Sequence, residues 1–560
     1  MYIPKNPGER IQFVLEWINR CMSSQGDRKA TCDLYEKYYN FGAEFGVADY
    51  NKIEAHVEKV SSYIYEPGAL KWSVQVPPDG GPSAAAEQML VDRATDEFND
   101  LWHAEEHDAA LQDAATWGLV YGAHVCKTVW VPKISGPGPV VYTFEPYMLG
   151  VGNEAVSDIH SQEVLCHEFM MSADEVWRAL RVRHNGRELF DRVSFEPISN
   201  AVEPAAGFGQ LFLSQTNPTM SGDATPDFRL PGQMYKPQRV QDMARAFELW
   251  VWDDLEDDFQ VFTLLQPDVV LFDRKNFVYP RSQSTYGSHP FDLVRPNPVK
   301  KYIWGRSEVF GLIGLQKWHQ RRLMQVQRLE DLQADPPTAF SGFQGLDDEA
   351  MAAFGDPGSN VNTDMPTGKV ERLAPDMPEG IFTEIQGIDA FFADKSGVPQ
   401  MFEGKGEPGV RNNEQAAVLA SLGASRIKKK AMNLGTGGLS YVGAKVFRLE
   451  RRYNAIRMRT RSGMSFVFDQ LPDDAVVRVD NNSFSPVFAG GHWEEAQVLV
   501  KAGAADGEVL IDASHLPNKR GLKQAYKERQ ASRAQQIEKL LQADPKQAMV
   551  QAKQMMKAPS

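Results

Sequence analysis

The sequence predicts an α+β fold in which long helices bracket a small β module, beside a separate strand-rich region. Three observations carry this. Leu315 to Asp335 runs without Gly or Pro and with apolar residues at helical spacing. Residues 336–378 turn to short strands and turns, and a second helical pattern follows them. Residues 136–295 hold runs such as Ala246–Trp252 and Gln260–Leu265, aromatic and β-branched enough to read as strands.

Taken in order, residues 1–60 read as amphipathic helices, with Ile11, Val14, Leu15, Trp17 and Ile18 grouped on one side. Residues 61–300 mix a helix over about 83–117, a strand from Ala123 to Trp130, and further strands. A Gly/Ser/Pro/Thr run at about 215–232 reads as a surface loop. Residues 301–335 form the first long helix, with Ser307 as N-cap and Glu308 in the first turn. Its stripe is Leu312, Leu315, Trp318, Leu323, Val326, Leu329 and Leu332, with glutamines filling much of the rest. At roughly 1.5 Å per residue, 306–334 spans about 43 Å. Pro336-Pro337 stops it, since neither residue donates a helical hydrogen bond.

Residues 336–378 carry turn sequences at Asp356-Pro357-Gly358 and Met365-Pro366-Thr367-Gly368, then a strand at Lys369–Leu373. The next helix, within 379–400, places Ile381, Ile385, Ile388, Phe391 and Phe392 on one face and stops at Gly397-Val398-Pro399. Residues 401–413 are rich in glycine and poor in apolar side chains, an exposed loop. Residues 414–454 read as a long helix whose Gly435-Thr436-Gly437-Gly438 cluster should kink or break it. Strands follow at 465–468 and 475–479. Helices return over 491–545, and 546–560 lacks a clear core stripe and is expected to fray.

This order of parts resembles the portal proteins, or head-to-tail connectors, of tailed double-stranded DNA bacteriophages. The resemblance rests on the Tyr302-Ile303-Trp304-Gly305-Arg306-Ser307 entry to a long Leu/Gln helix, the helix, β module, helix order, the Ser396-Gly397-Val398-Pro399 stop, and the Gly-rich loop leading into Asn413-Glu414-Gln415. It implies a portal fold: an α-helical stem (301–335 and 379–400), a β-containing clip (336–378), a tunnel loop (401–413) and a long kinked helix (414–454). A mixed α/β wing (61–300, completed by about 455–490) and an α-helical crown (491–545) would complete the subunit. It also implies a homo-oligomeric ring of twelve at one capsid vertex, assembled in the host cytoplasm. That ring would contact the terminase large subunit, the major capsid or scaffolding protein, tail adaptors, and double-stranded DNA passing through without sequence specificity. In the tunnel loop the resemblance makes Lys405, Arg411, Asn412 and Asn413 the candidates to touch DNA. In the stem it makes Leu315, Trp318, Leu323, Val326, Leu329, Ile385 and Ile388 the candidates for packing.

Composition agrees with a globular protein. Hydrophobic residues make up 42% and charged residues 24% of 560, enough apolar content for several cores. No apolar run reaches the length of a membrane span, and the start of the sequence lacks a signal-peptide core. Cys21, Cys32, Cys126 and Cys166 show neither metal spacing nor tight pairing, which reads as reduced buried thiols. A net charge of -14 argues against a protein that grips DNA over a large surface, because such binding displaces counterions with Lys and Arg. It suits a conduit in which DNA slides, or simple solubility.

Enzyme-like patterns also occur in the sequence. His103-Ala104-Glu105-Glu106-His107 matches the H-x-x-E-H spacing of a zinc hydrolase, but no third ligand is identifiable and an exposed helix face explains it as well. Gly404-Lys405-Gly406-Glu407-Pro408-Gly409 fits G-x-G-x-x-G without a preceding strand, and no phosphate-binding loop of the GxxxxGK[ST] type occurs. No G-x-S-x-G arrangement is present either. No catalysis, cofactor or metal is therefore expected. The alternatives left open are the zinc hydrolase and a virion scaffold protein that forms no ring. Lys428, Lys429 and Lys430 spread over about 200° of helix, so at most two can face one partner.

Overall fold

The computed structural model describes residues 2–41, 51–76, 84–104, 107–133, 136–196, 242–281, 287–334, 338–341, 369–372, 376, 378–396, 425–454, 467–472, 475–480, 483 and scattered positions from 497 to 532. The chain divides into two compact units, Met1–Phe484 and Ser485–Ser560. Within the first, helices and antiparallel sheets are mixed, an α+β arrangement.

Three helices open the chain: α1 (Pro7–Cys21), α2 (Gln25–Phe41) and α3 (Lys52–Ile64). Asn6 caps α1, its side-chain oxygen accepting from the Gly8 N–H at 3.2 Å, while Asn51 caps α3 by accepting from Ile53 and Glu54. After β1 (Trp72–Gln75) come α4 (Ala84–Ala104) and α5 (His107–Tyr121), where the sequence suggested one helix over 83–117.

Then follow β2 (His124–Lys133), β3 (Gly136–Phe144), β4 (Leu149–Val151), β5 (Val164–Ser172), α6 (Ala173–Leu180), α7 (Gly186–Asp191), β6 (Phe195–Glu196), β7 (Met243–Asp253), β8 (Asp258–Leu265), β9 (Val269–Lys275) and β10 (Phe291–Val294). A six-stranded antiparallel sheet has the order β4-β5-β7-β8-β9, with β6 also on β7; a three-stranded sheet has the order β10-β2-β3. Ile3, Val14, Ile18 and Cys21 pack from α1 and its approach onto Val164, Cys166, Leu249, Val251, Phe262 and Leu264 of the larger sheet. This is the burial that the period of α1 and the alternation of the strands demand. The two sheets are tied by a buried pair, Lys127 on β2 to Glu248 on β7 at 3.1 Å, and Trp250 also donates to Glu248 at 2.7 Å.

Next are α8 (Ile313–Ala334), β11 (Thr338–Ser341), β12 (Lys369–Arg372), α9 (Gly380–Ser396), α10 (Ser425–Leu434) and α11 (Ser440–Leu449). The glycine cluster at 435–438 does not break the long helix. Gly435–Leu439 forms a π-helical turn that joins α10 to α11, and a second one covers Glu450–Asn454. The loosened carbonyls still find donors: Ser440 Oγ bonds Gly435 O at 2.7 Å and Thr436 Oγ1 bonds Met432 O at 2.7 Å. The helix passes close to β10 there, and a Cβ on Gly438 would lie 3.1 Å from Leu293 O, a tight contact.

β13 (Val476–Val479) pairs antiparallel with β1, Trp72 opposite Val479, across some 400 residues of sequence. Phe468 lies in a short 3-10 turn, Val467–Gln470, rather than in the strand expected over 465–468. It joins Trp72, Phe98, Trp102 and Phe447 in an aromatic core, the Trp72–Trp102 centroids lying 4.6 Å apart. All four cysteines are free and buried. In the second unit, the Gly507 N–H donates to Tyr526 OH at 3.2 Å.

Candidate functional site

The part of the molecule with a distinctive geometry is the helical hairpin of α8 and α9 and the root that holds it. The chain enters through the loop ahead of α8. Gly305 (φ +71°) crosses the turn at Gly122 (φ +97°) backbone to backbone; a Cβ on Gly305 would sit 2.5 Å from Gly122 O, and one on Gly122 would sit 2.8 Å from Ser307 N. Only glycine fits either position. At that crossing Ser307 Oγ donates to Val120 O, and the Glu308 N–H donates to Leu119 O at 2.8 Å. The C-terminal carbonyls of α5 thus receive donors from the entry loop.

Ser307 Oγ accepts from the Phe310 N–H at 3.3 Å, but Ser307 is not the N-cap expected of it: the element that follows is a single 3-10 turn, Val309–Gly311, whose N-cap position is Glu308. α8 proper begins at Ile313, seven residues later than the 306 start read from the sequence.

Glu308 is the hub of the root. Lys430 Nζ on α10 lies 2.8 Å from its Oε1, His56 Nε2 on α3 lies 3.5 Å from the same oxygen, and Asn297 donates to Oε2 at 2.9 Å. Burial pulls the carboxyl upward, but the His56 and Lys430 contacts outweigh it and hold Glu308 down at about 2. One carboxylate therefore joins α3, the entry to α8, and the long helix. Of the three consecutive lysines, Lys430 is committed to this internal contact while Lys429 is exposed.

Beyond the root, α8 and α9 lie antiparallel. Trp318 Nε1 donates to Glu384 Oε1 at 2.9 Å, Arg322 pairs with Glu384 at 2.8 Å, Trp318 stacks on Phe391 with centroids 6.4 Å apart, and Lys395 Nζ donates to Gly311 O. Trp318 with Phe391 and Gly311 with Lys395 join the start of α8 to the end of α9, while Arg322 further along α8 meets Glu384 nearer the start of α9. The far end is closed by the β11–β12 ladder, Thr338 opposite Arg372 and Ser341 opposite Lys369. A helix, a two-stranded ladder and a returning helix thus follow one another along the chain.

The apolar stripe read from the sequence is only partly buried. Ile388 is fully buried; Leu315, Leu323, Val326, Leu329 and Ile385 are half-buried; Trp318 is 36% exposed. The buried residues of α8 are instead polar, Gln316 and His319. Gln316 Oε1 accepts the Lys52 N–H at the start of α3 at 3.2 Å, and Asp389 on α9 meets Lys52 Nζ at 3.0 Å and His319 at 3.8 Å. Leu312, Gln316 and His319 share one helical face, which the periodicity could have revealed had polar residues been admitted to it. From Gln320 onward no residue of α8 is buried. Lys405, Arg411, Asn412 and Asn413, and the G-x-G-x-x-G run, lie outside the described residues.

No family model and no curated protein matches the chain.

The two histidines of the H-x-x-E-H pattern have different surroundings. His103 is held by Asp108, Nδ1 to Oδ2 3.6 Å, whereas His107 is buried with its ring 4.8 Å from Trp102. Asp108 also accepts from Trp102 Nε1 at 2.9 Å, Tyr65 OH at 3.2 Å and the Gly68 N–H at 3.0 Å. Glu106 lies outside the described residues. Among the described residues, no group of three or more His, Cys, Asp or Glu side chains could hold a metal ion. No helix among them is long and apolar enough to cross a membrane.

Buried histidines elsewhere are structural. Burial pushes His124 down to about 3, and His167 and His289 well below the ordinary range, so all three sit neutral in the core. Lys445 of α11 reaches Asp292 of β10 at 2.8 Å, and His160 lies 3.3 Å from the same oxygen.

Proposed function

We propose that the chain is the subunit of a phage portal, a ring at one capsid vertex that serves as the conduit for genome packaging and ejection and as the attachment site for terminase and tail. The observation that carries this reading is the hairpin: two antiparallel helices closed by a β ladder, rooted at one carboxylate, with no buried residue on α8 from Gln320 onward. An isolated hairpin of this kind leaves Met324 and Phe382 about half exposed, at 49% and 50%. Such apolar surface favours burial against another protein chain.

In this reading α8 and α9 are stem, the β11–β12 ladder belongs to the clip, and the long helix with its π-helical turn runs inward from the tunnel loop. The hub at Glu308 joins stem to long helix. The ring would be held by protein contacts and would let DNA slide, in keeping with a chain of net charge -14. Its partners would be eleven further copies, the terminase large subunit, a capsid or scaffolding protein and tail adaptors. The chain would perform no catalysis.

Native mass spectrometry with electron microscopy of the purified chain tests this. The expected result is a closed ring with a central hole and a mass of about 750 kDa, twelve times the 62.7 kDa chain. A particle without a hole, or a monomer at all concentrations, would instead favour a scaffold protein that forms no ring.

A further inference from the structure

α8 and α9 each carry an exposed stripe on the flank opposite their shared seam. With about 100° between successive residues, Met324 and Arg328 stand on the side of α8 away from Leu315, Arg322 and Leu329, with Arg321 at the edge of the same flank. On α9, Phe382 and Gln386 stand away from the seam residues Glu384 and Phe391, and Glu379 immediately precedes the helix on that side. Arg321, Arg328, Glu379 and Gln386 are exposed, as are Met324 and Phe382.

The two stripes also match in height. Arg322 pairs with Glu384 and Lys395 reaches Gly311, which fixes the antiparallel register of the hairpin. Two residues beyond Arg322 is Met324, and two before Glu384 is Phe382, so these lie level. Arg328 stands six residues beyond Arg322 and Glu379 five before Glu384, so these lie within about one helical rise, ~1.5 Å, of each other. Their charges are opposite, and so are those of the helices at large: α8 carries Lys317, Arg321, Arg322 and Arg328 against Glu330 and Asp331, while α9 carries Glu384, Asp389 and Asp394 against Lys395.

We propose that the outer flank of α8 in one copy packs against the outer flank of α9 in the next, Met324 on Phe382 and Arg328 on Glu379. The inference rests on the ring reading and specifies how the ring closes. The two patches differ, so the contact is heterologous and repeats head to tail, and equal heights let the copies close by rotation without a rise. A DNA backbone is the weaker occupant, because phosphate is gripped by polar and cationic groups and offers nothing to two large apolar side chains.

The test is sedimentation velocity and native mass spectrometry of the full chain at low and high salt, comparing wild type with Arg328→Glu, Glu379→Arg, the double swap, and Met324→Asp. Like charges facing each other should weaken assembly at least about tenfold in either single variant, and the double swap should restore it. Met324→Asp should dissociate the assembly with the thermal unfolding of the subunit unchanged. If wild type assembles and the single variants and Met324→Asp assemble equally well, the proposed contact is wrong and the ring reading stands. If wild type stays monomeric at every concentration, both fall. If the charge variants assemble normally but lose affinity for a duplex DNA probe, the flank belongs to nucleic acid and the contact is likewise overturned.

Discussion

Lys430 lies 2.8 Å from Glu308, and through that contact the long helix is fastened to the root of the hairpin. The lysine comes from a run of three that invites a surface reading, yet its side chain is only 11% exposed and that of Glu308 15%. The pair is also hydrogen-bonded by Asn297, as a buried charge pair requires.

Replacing Glu308 by Gln should destabilise the protein by about 3 kcal/mol near neutral pH, since a carboxyl held at about 2 in the fold and near 4.5 when unfolded is worth roughly 1.4 kcal/mol per pH unit of difference. That contribution is present above pH 4.5 and is lost as the pH falls towards 2. Urea unfolding across this range should show a stability slope in wild type that flattens in the variant.

At the backbone crossing, Gly305→Ala should cost about 2–4 kcal/mol, combining a left-handed φ with a Cβ placed 2.5 Å from Gly122 O. Gly387→Ala is a control within α9, because a Cβ there meets nothing within 4 Å. Thermal unfolding should separate the two clearly, with Gly387→Ala neutral or slightly stabilising.

Lys445 and Asp292 make a buried pair with side chains 5% and 0% exposed. Lys445→Met alone should destabilise by about 3–5 kcal/mol by stranding the carboxylate, and adding Asp292→Leu should recover much of the loss. Equilibrium unfolding of the two single variants and the double would show this as strong coupling, and additive losses would contradict it.

His103 should titrate above the usual histidine range, because the Asp108 hydrogen bond and charge raise it despite partial burial. Its stabilising contact is full at acid pH and is lost as pH rises through the raised value. Asp108→Asn should bring the His103 titration, followed by proton NMR, back down. Zinc added in stoichiometric amount should leave that curve unmoved.

Sequence by itself determined the succession of elements wherever local chemistry was strong. The helical run of α8, the strands at 246–252 and 260–265, the helical stretch near 379–396 and the strand at 369–372 were legible because hydrophobic spacing and turn chemistry act within a few residues. Tertiary structure decided the rest. It made the 435–438 glycines part of a π-helical turn with Gly438 beside Leu293 O, and paired β1 with β13 across the chain. It also put Gln316, His319, Glu308 and Lys430 inside and left Met324 and Phe382 outside, the reverse of their polarity. Buried polar groups depend on partners far away in sequence, such as Lys52 for Gln316 and His56 for Glu308, and no local pattern encodes where those partners arrive.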